Sequence, residues 1–265
     1  MGGDIWALGA AYENYMGRWS RPVAAAFVAW LGVPAGRRWL DAGCGTGALS
    51  AAVLAGAAPA EVAAVDPSAG FVRHARELLA GARTGFALAD ARALPFADGR
   101  FGAAVSGLVL NFVPRPEAAV AELARVTAPG GTVAAYVWDY ARRMDLIRAF
   151  WSAAVSLDPG AGALDEGARF PLCRPEPLRA LWTEAGLGGV RVEAIEADAV
   201  FRDFDDYWLP FLAGQGPAPK YAVSLPEQRR AALRERIRER LPAAEDGSIT
   251  LRTRAWAVSG TVLDH

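Results

Sequence analysis

Nine consecutive residues, Trp39–Gly47, reading WLDAGCGTG, constrain this chain most. Two apolar residues and an acid end a short strand, and three glycines at alternate positions follow at once. Glycine has no Cβ, so Gly43, Gly45 and Gly47 can take positive φ and let the backbone approach a ligand closely. Ala48–Leu54 continues as a helix of small residues, whose N-terminus presents free N–H groups and the positive dipole end at the same place. The spacing G-x-G-x-G differs from the dinucleotide fingerprint G-x-G-x-x-G, which argues against a nicotinamide-dependent oxidoreductase.

The segments after the turn alternate strand and helix. Arg38–Asp41 is the first strand and Glu61–Asp66, EVAAVD, the second; its unbroken apolar run suits a strand covered on both faces. Asp66 lies where nucleotide-binding α/β folds place a carboxylate for both ribose hydroxyls, and one carboxylate can accept from a vicinal diol. It also stands where it can N-cap a helix over Pro67–Leu79, with Pro67 at the first helical position. Phe86–Ala89 is the third strand and ends at Asp90-Ala91, an acid for an adenine amino group beside a backbone N–H for a ring nitrogen. Ala103–Leu110 is the fourth and runs into Asn111, which is either a turn residue or a ligand contact at the carboxyl edge. Glu117–Thr127 is a helix closed by Pro129-Gly130-Gly131, and Thr132–Trp138 is the fifth strand. Upstream, AYENYMGRWS precedes a helix over Arg21–Leu31, with Ser20 as N-cap and Pro22 in the first turn. Tyr12, Tyr15 and Arg18 form a candidate lid there, and an arginine pairs a carboxylate bidentately.

Three stretches carry a family resemblance. Trp39–Gly47 resembles the first motif of the class I S-adenosylmethionine-dependent methyltransferases, an apolar pair followed by D-x-G-x-G-x-G. Residues 89–101, ADARALPFADGRF, resemble the third, with Gly102 departing from the Asp that commonly follows. Residues 123–131, LARVTAPGG, match L-x-R-V-x-x-P-G-G before strand five. The resemblance implies a doubly wound, Rossmann-like α/β fold with a seven-stranded, mostly parallel sheet, an N-terminal helical lid and a helical insertion before the last strand. It implies S-adenosyl-L-methionine as cofactor and S-adenosyl-L-homocysteine as product, in the branch that methylates small molecules and quinones. Asn111-Phe112-Val113-Pro114 lacks the [ND]-P-P-[FYW] order of enzymes that methylate nucleic-acid bases. The implied cofactor contacts are Tyr15, Arg18, Gly43, Cys44, Gly45, Asp66, Pro67, Asp90, Ala91 and Asn111. A general base is open among Tyr12, Tyr15, Asp139 and Tyr140. Asp41 is expected to support the turn by holding its amides.

The C-terminal half should carry the substrate. Met144–Leu157 and Pro175–Ala185 read as helices, the second stopped by Gly186 before a strand at Val190–Ile195. Phe201–Leu212 and Pro226–Leu241 fall in an insertion over about 201–245, ahead of the last strand, Ile249–Val258. Its aromatics, Phe201, Phe204, Tyr207, Trp208 and Phe211, are either plain core or the wall of an apolar pocket. Six arginines stand against two glutamates between Arg229 and Arg240. Leu233, Ile237 and Leu241 recur at spacing four, so an amphipathic helix with a solvated face is the simpler reading than an anion site.

The 265 residues are expected to form one domain: a lid and helix over 1–37, a cofactor-binding core over 38–140, and substrate-side helices and last strands over 141–265. A net charge of −1 provides no global field to recruit nucleic acid. Two cysteines and two histidines, scattered along the chain, are too few for a metal cage; a Cys44–Cys173 disulfide stays open at this level. The first residues lack a basic n-region and a long apolar run, and no stretch has the ~18 apolar residues of a membrane span. A cytoplasmic location and a small-molecule methyl acceptor as partner are therefore expected. A non-catalytic protein of the same fold that binds S-adenosylmethionine is the alternative.

Overall fold

The computed structural model describes residues 13–79, 81, 83–213 and 216–264. Its sheet has seven strands: β1 (Arg38–Ala42), β2 (Glu61–Asp66), β3 (Thr84–Leu88), β4 (Phe101–Gly107), β5 (Thr127–Trp138), β6 (Gly188–Phe201) and β7 (Ile249–Thr261). They lie in the order β3-β2-β1-β4-β5-β7-β6. The first five pair parallel, and β7 runs antiparallel to both β5 and β6. The helices are α1 (Arg18–Leu31), α2 (Ala48–Gly56), α3 (Ala69–Leu79), α4 (Pro116–Val126), α5 (Asp145–Leu157), α6 (Glu166–Arg169), α7 (Pro175–Glu184), α8 (Phe204–Trp208), α9 (Pro217–Ser224) and α10 (Glu227–Arg238). The mostly parallel, doubly wound sheet and the helical insertion between β6 and β7 are those expected.

Side-chain alternation along β5 divides the core between the two faces of the sheet. Ala134, Tyr136 and Trp138 join Phe27 of α1 and Trp151 of α5 on one face. Val133, Ala135 and Val137 join Leu123 of α4 and Trp182 of α7 on the other. Trp182 can be buried because its Nε1 donates to the Val133 carbonyl at 2.9 Å. Arg125 explains part of the L-x-R-V motif. Its guanidinium donates to the carbonyls of Phe96 (2.9 Å) and Leu94 (3.1 Å), sewing the loop after β3 onto α4.

Several boundaries differ from the sequence reading. β6 extends to Phe201, beyond Ile195, because β7 pairs with it as far as Phe201↔Ile249. Its exposed residues include Arg191, Glu193, Glu196 and Asp198; charge is common on an edge strand, and it interrupts the apolar run by which a buried strand is recognised. At the other end of the chain, α1 starts at Arg18 after a single π-helical turn, Glu13–Gly17. Ser20 is therefore not an N-cap. Its Oγ donates to the Gly17 carbonyl at 2.7 Å, and Pro22 lies inside the helix. A π-helical turn just before Pro22 accommodates a residue that has no amide to give. No helix among the described residues is long and apolar enough to cross a membrane.

Candidate active site

The chain leaves β1 for β2 on one side and later returns to β4 on the other. The crevice so formed at the carboxyl ends of the strands is where open α/β sheets seat ligands. A cavity of about 500 Å³ opens there.

Its floor is the glycine turn. Gly43, Gly45 and Gly47 all have positive φ. At Gly43 a Cβ would come within 2.6 Å of Val109 Cγ2, whereas at Gly45 it would meet nothing within 4 Å. Gly43 is thus needed for close packing, and Gly45 leaves open a space that a ligand can enter. Behind the turn, the amides of Gly43 and Cys44 donate to the Val65 carbonyl at 2.7 and 2.9 Å, and the Gly45 amide donates to Asp66 Oδ2 at 3.0 Å. The other oxygen of Asp66 accepts from the Ser68 amide at 2.8 Å. Two backbone donors on separate elements fix the carboxylate at the edge of the cavity, and the helix after it starts at Ala69, so Asp66 does not cap it directly.

Asp41 does not hold the turn amides, contrary to expectation. It is buried under the turn, one oxygen accepting from Ser50 Oγ at 2.6 Å and the other having no partner. Burial raises its pKa from 3.8 to about 7; the Ser50 hydrogen bond opposes this and nearby Asp66 adds to it. Burial, reinforced by Asp41 and Asp66, also raises the Cys44 thiol far above its ordinary value. Both cysteines are free and buried.

Asp90 reaches the cavity from the end of β3. Arg92 grips it, with Nη2 at 2.5 Å from Oδ2 and Nε at 2.9 Å from Oδ1. These hydrogen bonds hold the Asp90 carboxyl below its usual range. Six aromatic residues join the wall: Tyr15 from the π-helical turn, Phe71 from α3, Phe112, Tyr136 and Trp138 from β5, and Tyr140. Gly216 and Pro217 close one side from the insertion.

The cavity therefore gathers Tyr15, Gly43, Cys44, Gly45, Asp66, Pro67, Asp90, Ala91 and Tyr140. Three anticipated residues are elsewhere. Arg18 forms a bidentate pair with Asp206 (2.9 and 3.1 Å), donates to its carbonyl and stacks on Trp19 and Phe201, so it ties α1 to the insertion. Asp139 is buried and receives the Arg254 guanidinium (Nε to Oδ2 2.8 Å), which makes it structural. Asn111 sits in a 3-10 turn and does not itself line the cavity, although Val109 and Phe112 on either side of it do, and its buried Oδ1 has no partner. Tyr12 lies outside the described residues. Tyr15 is a poor base. Burial, and then the neighbouring Glu166, push its phenol well above the ordinary value and keep it protonated.

The insertion aromatics are core and do not wall the cavity. Phe211 stacks on Phe150 with ring centres 4.7 Å apart and meets Tyr15 edge-on at 5.3 Å, while the Tyr207 hydroxyl donates to the Leu146 carbonyl at 2.7 Å. They support the cavity from behind. Of the arginine-rich segment, Leu233, Ile237 and Leu241 are buried while Arg234 pairs with Asp205 at 2.9 Å, an amphipathic helix with a charged face.

Sequence reasoning missed Glu166. It opens α6, is buried, and lines the cavity beside Tyr15 and Tyr140. The Trp151 indole donates to its Oε2. Burial raises its pKa from 4.5 to about 7, against hydrogen bonds from backbone amides and Trp151. No motif marks it, because it lies far along the chain from the glycine turn, in a segment without regular periodicity.

Residues 40–135 match the methyltransferase domain family. The matched stretch runs from β1 into β5 and includes the glycine turn and the acids after β2 and β3. An uncharacterized protein of Mycobacterium tuberculosis is 34% identical over 153 residues, 56% of this chain and 55% of that protein. A malonyl-[acyl-carrier protein] O-methyltransferase of Erwinia pyrifoliae is 34% identical over 170 residues, 58% of this chain and 63% of its own length. The aligned stretch thus spans little more than half the length of these relatives. A phosphoethanolamine N-methyltransferase of Haemonchus contortus, solved with S-adenosyl-L-methionine, shares the fold at a TM-score of 0.59 and 16% identity, over 98% of this chain and 57% of that one.

Proposed function

We propose that this chain, acting as one domain over residues 1–265, transfers the methyl group of S-adenosyl-L-methionine to an oxygen, nitrogen or carbon of a small, partly apolar molecule. One observation carries the reading: a single cavity joins the glycine turn and the acids after β2 and β3 to an aromatic wall. The first part suits a nucleoside and the second a flat or apolar acceptor.

In this reading Asp66, oriented by two amides, takes the ribose hydroxyls. Asp90 and Ala91 meet the adenine, which must share Asp90 with Arg92 or displace it. With Arg18 committed to Asp206, the charged tail would face the N-terminus of α2, which no side chain caps. When bound, the sulfonium supplies an already activated methyl group, so the residues around it mainly orient the acceptor and exclude water. The neutral overall charge of the chain supports a small-molecule acceptor over a nucleic acid.

Calorimetric titration with S-adenosylmethionine and S-adenosylhomocysteine tests the assignment. Asp66→Ala removes two hydrogen bonds to a charged acceptor, each worth about 1.5–3 kcal/mol, so affinity should fall about a hundredfold or more. An unchanged Kd in that variant sinks the site. Turnover of S-adenosylmethionine with metabolite extract separates an enzyme from a protein that only binds the same ligand.

A further inference from the structure

We infer that the Glu166 end of the cavity is the acceptor subsite, that it takes a neutral aromatic hydroxyl, and that Glu166 receives the hydroxyl proton. The inference rests on the methyl-transfer reading above and deepens it.

Three features converge on this end. Glu166 is only 2% exposed yet lines the cavity, its carboxyl held by hydrogen bonds from the Trp151 indole and from backbone amides, that of Ala218 among them. The Trp151 indole fixes one oxygen, so its rotamer is set from behind. Beside it stand Tyr15 and Tyr140, whose flat faces suit a ring.

Charge selects among acceptors. Among the described residues, the charged groups near Glu166 are Asp165, the N-cap just ahead of α6, paired with Arg148 at 2.5 Å, and Arg174, which donates to the Gly167 carbonyl at 2.8 Å. Neither arginine lines the cavity, and among the lining residues the one guanidinium, Arg92, is bound to Asp90. A carboxylate or phosphate at this end would meet a buried carboxyl with no free cation among the described lining residues to offset it, so anionic acceptors are disfavoured. A hydroxyl offers the hydrogen that Glu166 can accept.

The step balances without a further reactant. As the acceptor oxygen bonds the methyl carbon, its proton passes to the Glu166 carboxylate. The electron pair of the broken carbon–sulfur bond stays on sulfur, leaving a neutral thioether. With a pKa raised to about 7, Glu166 is matched to take that proton near neutrality.

The test is binding to the full chain loaded with S-adenosylhomocysteine, using 4-methylphenol, which stays neutral at pH 7, as hydroxyl probe and benzoate as anionic probe, each against Glu166→Gln. The glutamine can still accept from the Trp151 indole, so the wall should stay intact. 4-Methylphenol should bind the wild type and lose about tenfold or more in affinity in the variant, the loss expected of one hydrogen bond to a charged group. Benzoate should bind the wild type more weakly and gain in the variant, a reversal that a merely structural role for Glu166 would not produce. Equal affinity of 4-methylphenol for both proteins, or no binding to the wild type, overturns the inference, as does benzoate binding the wild type more tightly than the phenol. Failure of S-adenosylhomocysteine itself to load overturns instead the functional reading on which it rests.

Discussion

Asp41 offers the sharpest quantitative test, because its environment in the fold should be visible in stability alone. The carboxyl is fully buried beneath the glycine turn, has one partner, Ser50 Oγ at 2.6 Å, and has its pKa raised from 3.8 to about 7. An acid whose folded pKa exceeds its unfolded one binds more protons when folded between the two values. Stability therefore falls as pH rises from about 4 to about 7 and is flat on either side. Roughly three pH units at about 1.4 kcal/mol each set a ceiling of about 4 kcal/mol for the cost of ionising Asp41 in the fold. Asp41→Asn keeps the shape and an acceptor for Ser50 while removing the ionisation. Urea unfolding of the unliganded protein should give the two proteins similar free energies near pH 4 and should leave the variant more stable at pH 8, by up to that ceiling. A stability difference that does not change with pH, or a variant losing ground at pH 8, would refute the argument.

Two further outcomes follow from the ion pairs. Arg254→Ala leaves Asp139, 1% exposed, without its partner and should cost about 3–5 kcal/mol in unfolding free energy, with S-adenosylhomocysteine affinity unchanged in calorimetry at a temperature where the variant is folded. Arg18→Ala should likewise leave the affinity within about twofold but loosen the insertion, seen as faster proteolytic cutting between residues 201 and 245; a tenfold loss of affinity would return Arg18 to the cofactor.

The central fold was legible because its signals are local. Strands buried on both faces read as apolar runs, and the turn after β1 needs residues without a Cβ, so composition and spacing identify them together. The acids at the ends of β2 and β3 were legible for a related reason: in a parallel sheet every strand points its carboxyl end at the same crevice. β6 was read too short because charge on an exposed edge conceals a strand whose partner is the distant β7.

The glycine turn, the succession of strands and helices through the core and the acids that follow the strands were thus determined by the sequence itself, since each depends on a few neighbouring residues. The fate of each charged side chain was not, because pairing depends on what distant segments bring alongside. Arg18 could meet a cofactor carboxylate until α8 placed Asp206 beside it, and Asp139 could be a base until β7 delivered Arg254. Glu166 was one unmarked acid until the tertiary fold buried it against Trp151 with its face to the cavity, where low polarity raises its pKa to about 7.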